Sequence, residues 1–303
     1  MSLGSRFTQV FGCRYPLQQA GMGGVTSPEL AVAVSRAGGL GMLSGTGGRT
    51  DLADQLDAIP DGLAVGVNFL VPFLDRAAVD EASPRVPLVE FFWGAPSPEL
   101  VEVVHSGGSR AGWQVGSADE ARAAADAGCD VVVAQGWEAG GHVRGTTGLL
   151  PLLDAVRSVT DIPVVAAGGI GTGRAFAAAL VAGADAVRIG TRFVAATESI
   201  AHPMYVDRLV ESSADDTVVT TAFGVGWPNA PHRVLQCCVD AGEAMGASQM
   251  WTPNWPTIAD REPASRAMYA GQSVGSVRSR QSAAEIVTEL VEGAERAMAE
   301  FRP

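Results

Sequence analysis

The chain has no lysine: all 21 basic residues among its 303 are arginine. That removes the amine on which Schiff-base chemistry depends; a barrel isomerase or lyase of sugar phosphates would then need paired acids, for which Asp161, Asp185 and Glu198 are the candidates, with Asp185 at the wrong end of its strand. Metal ligands are equally scarce. The four histidines, His105, His142, His202 and His232, show no His-x-x-x-His spacing, and Cys13, Cys129, Cys237 and Cys238 form no Cys-x-x-Cys pair. We read the thiols as reduced and mostly buried, and expect no metal. No apolar run reaches the roughly 18 residues that cross a bilayer, and no charged-then-apolar leader is present, so the expectation is a cytoplasmic protein without a membrane partner. Clusters of five or more basic residues are absent too. With a net charge of -12, that excludes a polyanionic partner such as nucleic acid.

Glycine and alanine are abundant, and they recur in a pattern. An alanine-rich helix, an Ala-Gly pair and a short apolar strand ending near glycine appear at residues 29–45, 120–136 and 176–190. The glycine after alanine suits a left-handed helix terminus, and repeated helix-strand steps imply a parallel sheet covered by helices. Candidate strands are residues 17–20, 39–44, 64–69, 86–92, 111–115, 130–135, 163–167 and 186–190. Eight such steps predict a (β/α)8 TIM barrel; an open doubly wound sheet is the runner-up, but Gly21, Gly23 and Gly24 do not fit its dinucleotide turn. The glycine turns at Gly168-Gly169 and Gly190-Thr191 follow the seventh and eighth strands, where barrels of this kind bind phosphate. Residues 201–256, rich in Trp-Pro and His-Pro pairs and poor in strand periodicity, read as a lid of helices and loops inserted after strand eight. Residues 1–200 and 257–303 would form the barrel, with 283–301 an amphipathic closing helix.

The chemistry concentrates where the sixth strand ends. Residues 131–142 bring Gln135, Glu138, the pair Gly140-Gly141 and His142 into one loop at the expected C-terminal face. An imidazole there is expected to titrate near neutrality and to move a proton or stabilise an anion.

The run Gln135-Gly-x-Glu-Ala-Gly-Gly-His142, with Pro163-Val-Val-Ala-Ala-Gly-Gly-Ile170 and Gly190-Thr-Arg-Phe193, resembles the flavin-dependent nitronate monooxygenases, and the resemblance extends from Gln18 to Gln272. It implies FMN in a (β/α)8 barrel. Ala20, Gly21 and Met22 would run along the isoalloxazine, with Asn68, Gln135 and Gly140 as further contacts. Gly168 and Gly169 would hold the phosphate, and Arg188, Ile189, Gly190 and Thr191 would complete the site, with Gln272 also near the cofactor. His142 falls on the family's catalytic histidine. The implied reaction takes an anionic alkyl nitronate and dioxygen to a carbonyl compound and nitrite, and a homodimer is expected from the prevalence of two-fold assemblies. This chain departs from the pattern at Gly21, where proline is usual, and in a loop one residue longer after His142. Arg144 then has two readings, a guanidinium in the mouth that favours anions or an exposed solvated side chain.

The nearest alternative is the flavin-dependent enoyl-acyl-carrier-protein reductase, which shares the Glu-Ala-Gly-Gly-His run and a segment like Glu198-Ser-x-Ala-His202-Pro203, and would consume NAD(P)H. Gln135 leans away from it, because the reductase often carries an acid there. His105, His202 and His232 are expected to be structural or solvent-facing.

Overall fold

The Ala-Gly steps form as their chemistry dictates. Gly38, Gly128 and Gly183 take φ values of 101°, 90° and 99°, a left-handed conformation that turns each helix into the next strand. Ser27, Ser97, Ser117 and Thr172 accept a backbone N–H at the opposite helix ends, two of them followed by proline in the first turn. The computed structural model describes residues 3–245, 254–257, 260–261 and 263–300; Trp251 of the expected lid and Phe301 of the expected last helix lie outside them.

Eight parallel strands result: β1 (Leu17–Gln19), β2 (Gly41–Ser44), β3 (Val65–Leu70), β4 (Leu88–Phe92), β5 (Arg110–Val115), β6 (Val131–Gln135), β8 (Val164–Ala167) and β9 (Ala186–Ile189), with β7 a two-residue strand, Gly141–His142. Their order is β1-β9-β8-β6-β5-β4-β3-β2. A parallel bridge between Gln18 and Leu40 closes β1 onto the start of β2, so the sheet is the expected barrel. Outside it, Leu30, Val34, Leu153, Phe176 and Val187 belong to the buried layer between strands and helices.

The barrel interior fills in levels, because alternate residues of each strand point inward. The helix Arg6–Phe11 plugs the N-terminal end with Phe7 and Phe11, which share a buried cluster with Leu40, Met42, Leu88, Val131, Val133 and Val165. One step towards the C-terminal end, the interior turns polar with Gln18, Glu90, Gln114 and Arg188.

Residues 201–256 differ from expectation. Helices Pro203–Glu211 and Gln236–Ala244 flank an antiparallel pair, β10 (Thr217–Thr220) and β11 (His232–Leu235), and β11 also pairs with β7, placing His232 opposite His142. Four-residue strands leave too short an alternation to read from sequence, and proline-rich turns mask their edges. Tyr205, Leu209, Phe223, Val234 and Cys238 form a second core with Ala267, Met268, Ala270, Val274 and Val277. The later segment therefore packs with this cap. Helix Ala283–Glu300 buries Ile286, Leu290 and Ala294, its Gly293 backbone lying so close to Gly173 that a Cβ on Gly173 would sit 2.3 Å from the Gly293 carbonyl carbon.

All four thiols are free; burial pushes those of Cys13, Cys129 and Cys238 up to about 12, whereas Cys237 is exposed. Among the described residues no group of His, Cys, Asp or Glu could hold a metal ion, and no helix is long and apolar enough to cross a membrane.

Candidate active site

A cavity of about 1020 Å³ opens at the C-terminal ends of the barrel strands; β2 to β6, β8 and β9 each send at least one residue to its wall, and β1 is represented by Ala20, which follows it. Ala20, Gly21, Met22, Asn68, Gln135, Gly140, His142, Gly168, Gly169, Arg188, Gly190 and Thr191 all line it. Two expected residues do not. Ile189 points the other way on β9, into the layer beneath the helices, and only its carbonyl reaches this end, accepting from Ala20 N at 2.9 Å. Gln272 is exposed; its backbone N–H donates to Glu138 O at 2.9 Å, while Gly271 and Ser273 beside it line the wall.

Absent side chains shape much of that wall. A Cβ on Gly21 would lie 2.6 Å from the carbonyl oxygen of Leu43, and one on Gly140 would overlap the backbone of Ala270 and Gly271. Gly168 and Gly169 hold φ of 108° and 69°, so the turn after β8 is built for glycine. Beside it, the helical turn Thr191–Val194 has no side-chain cap at Gly190. Phe193 and Val194 donate back to Gly190 O, at 2.8 and 3.2 Å, and the N–H groups at the start of the turn, on Gly190 and Thr191, are this wall's donors to an anion without any lysine or arginine.

The floor is an ion pair. Arg188 donates through Nη2 to Glu90, through Nε to Gln18 Oε1 at 3.0 Å and through Nη1 to Gln114 Oε1 at 2.6 Å. Gln18 Nε2 returns to Glu90 Oε1 at 2.8 Å. Each guanidinium nitrogen is occupied, and the charge is balanced before any ligand arrives. Gly112 leaves the room: a Cβ there would sit 2.8 Å from Glu90 Cγ.

The His142 loop is clamped from several sides. Gln135 donates from Nε2 to His142 O at 2.8 Å and accepts Arg144 N at 3.3 Å on Oε1, a double duty that an amide performs and a carboxylate does not. Both carboxylate oxygens of Glu138 accept from Leu149 N, at 3.1 and 3.0 Å, capping the helix Leu149–Arg157, which has no cap of its own at Gly148. Buried Arg233 donates to Trp137 O at 3.0 Å and lies 5.6 Å from the centre of its ring, tying β11 to the same loop.

His142 itself sits among rings. It stacks on Trp227 at 3.9 Å between centroids, with Trp93 and Tyr269 at 5.7 Å and His232 at 5.1 Å. Burial, with a smaller contribution from His232, brings its pKa down to about 3. The expectation of titration near neutrality is therefore overturned: the imidazole is neutral across the physiological range, because those rings exclude the water that would solvate its charge. Its Nε2 and the Nδ2 of Asn68 are buried without a hydrogen-bond partner. His232, expected to be a bystander, is fully buried against His142, and its Nε2 accepts from Phe223 N while Nδ1 meets Ala230 O. His202 caps its helix through Nδ1, and His105 pairs with Asp130, so both are structural.

Arg144 takes neither expected position. Its guanidinium pairs with Glu120 and sits 5.7 Å from the Trp93 ring centre, outside the cavity wall. Sequence reasoning missed Gln114, Trp227, Tyr269 and Trp255 as wall residues. Only Gln114 carried a signal, as the last inward position of a recognised strand.

With this geometry in hand, comparison with known proteins is decisive: the nitronate monooxygenase family model matches residues 4–72 and 53–293. The chain belongs to the nitronate monooxygenase family. A probable nitronate monooxygenase of Staphylococcus aureus (strain JH9) is 33% identical over 269 residues, covering 72% of this chain and 76% of that protein. Among solved structures, FabK from Thermotoga maritima superposes with a TM-score of 0.86 at 30% identity, covering 98% of both chains. Nitroalkane oxidase from Streptomyces ansochromogenes gives 0.79 at 29%, covering 98% of this chain and 99% of that one. Family membership makes the protein an oxidoreductase and implies a flavin cofactor. The cavity fits such a group, offering glycine walls for a flat ring, uncapped N–H groups for a phosphate, and the orphaned amide of Asn68.

Proposed function

We propose that the protein oxidises alkyl nitronates with FMN and dioxygen, yielding a carbonyl compound and nitrite, with residues 201–256 as the lid over the site. The observation that carries this reading is the pairing of two unpartnered buried nitrogens, Asn68 Nδ2 and His142 Nε2, on residues lining one cavity with a charge-balanced floor. FMN, when bound, supplies the electron acceptor and the reaction with oxygen. Gly168, Gly169, Gly190 and Thr191 would take its phosphate through backbone N–H groups, and Ala20, Gly21, Met22, Asn68, Gln135 and Gly140 would border its ring.

A neutral His142 with a proton on Nε2 donates a hydrogen bond to an anionic nitronate oxygen. The same low basicity makes it a poor acceptor for the carbon-bound proton of a neutral nitroalkane. Preformed nitronates are therefore the better substrates. The rings around His142 exclude water, which strengthens that single hydrogen bond to the anion.

The deciding experiment records the visible flavin spectrum of the purified, FMN-loaded protein without oxygen, first with an alkyl nitronate and then with NADH. Loss of flavin absorbance on adding nitronate supports the proposal. No response to nitronate followed by bleaching with NADH would transfer the assignment to an NAD(P)H-dependent reductase of enoyl thioesters.

A further inference from the structure

The charged residues of the cavity wall, among those described, are Asp51 and Arg188. Arg188 is spent on Glu90, Gln18 and Gln114, and Asp51 is exposed and negative. Two further cations lie nearby but outside the wall: Arg144 is paired with Glu120, and Arg233 is held behind the loop, donating to Trp137 O and Thr217 Oγ1. Among the described wall residues, then, no guanidinium carries a charge that is not already balanced.

What leads away from His142 is apolar. Trp227 stacks on the imidazole at 3.9 Å, and Phe73 meets Trp227 edge-on at 5.1 Å. These rings run from the half-buried histidine towards solvent: Trp227 is 7% exposed and Phe73 49%. Leu70, which precedes Phe73 on the same strand end, and Ile200, 60% exposed, add apolar surface to the same cavity. Large exposed apolar side chains at the rim of a concave site mark where an apolar part of a ligand lies.

We infer that this site selects nitronates with an uncharged, extended alkyl or aryl substituent laid along Trp227 and Phe73, and rejects those with a second anionic group. The inference rests on the nitronate reading for the identity of the reacting group but not for the shape and charge of the pocket. Burying each additional methylene favours binding by roughly three- to fourfold. A terminal carboxylate, by contrast, would give up its hydration against Phe73 with no cation to receive it.

Carboxylates are unreactive mimics of the flat nitronate anion, and they separate the pocket from the reaction. We would titrate the FMN-loaded protein with propanoate, butanoate, pentanoate and hexanoate, and with hexanedioate, following the perturbation of the flavin spectrum. Kd should fall by about threefold per methylene, and hexanedioate should bind at least about tenfold more weakly than hexanoate. Phe73→Arg, at a half-exposed position, should supply the missing cation and abolish or reverse that preference, while Phe73→Ala should flatten the chain-length series. A wild-type Kd independent of chain length, or hexanedioate binding as tightly as hexanoate, would overturn the inference. The kcat/KM values of the corresponding nitronates should follow the same order. If carboxylates show the predicted series while no nitronate is consumed, the pocket assignment stands and the reaction assignment falls.

Discussion

At the scale of single residues, burial has changed what His142 can do. The sequence places an imidazole at a strand end, and the ordinary reading of such a group is a titrating acid or base. Trp227, Trp93, Tyr269 and His232 come from separated parts of the chain, and together they lower its pKa to about 3. The consequence for stability has a definite sign. The folded protein keeps His142 neutral, whereas the unfolded chain takes up a proton as pH falls through about 6.5, so stability is full above that value and declines towards pH 3. Between pH 7 and pH 5 the loss from this residue should be about 2 kcal/mol. His142→Asn should remove that portion of the pH dependence, measured by denaturant unfolding at the two pH values, and equal slopes in both proteins would contradict the neutral assignment. The lowered pKa of His232 has the same cause and sign, so part of the decline should remain in the variant.

At the scale of elements, the Glu-Ala-Gly-Gly-His loop works as a joint between three pieces. Glu138 caps the helix Leu149–Arg157, Gly140 lets the backbone of Ala270 and Gly271 cross in contact, and Gly141-His142 pairs with β11. The motif was readable as a string, but the reason for each member was not. Glutamate serves the helix, and the first glycine serves a crossing chain some 130 residues later. Gly140→Ala should force backbone apart where no rotamer offers relief, at a cost of about 1–3 kcal/mol. The purified variant should retain less flavin than wild type at equal protein concentration. Full flavin occupancy with unchanged melting would show that the crossing is looser than drawn here. Gln135 belongs to the same joint, since its amide spans His142 O and Arg144 N.

At the scale of the whole molecule, one barrel end is closed and the other open, and the interior changes character between them. Phe7 and Phe11 seal the N-terminal end, the Arg188–Glu90 pair occupies the middle, and the cavity lies beyond. An aromatic plug beneath a buried ion pair keeps water from entering from behind. Phe7→Ala should cost about 3–5 kcal/mol through the cavity it leaves, checked by the midpoint of chemical unfolding. The change lies far from the glycine turns, so flavin content per folded molecule should not alter. A stability loss below about 1 kcal/mol would mean that the end is sealed by something other than this ring.

The amino-acid sequence by itself determined the eight strands, the left-handed glycines between helix and strand, the barrel, and the glycine turns after its last two strands. Each is a local consequence of periodicity, capping and backbone freedom, and each needs only neighbouring residues to be read. It also marked His142, Asn68 and Gln135 through family resemblance. Tertiary structure alone decided the rest. The strand pair in residues 201–256 is held by partners distant in sequence, Arg144 is drawn aside by Glu120, Arg188 is neutralised by Glu90 from another strand, and Ile189 and Gln272 face away from the cavity. Charge balance, exclusion of water and the direction of a side chain depend on which remote groups meet in space, and that meeting sets the pocket's chemistry.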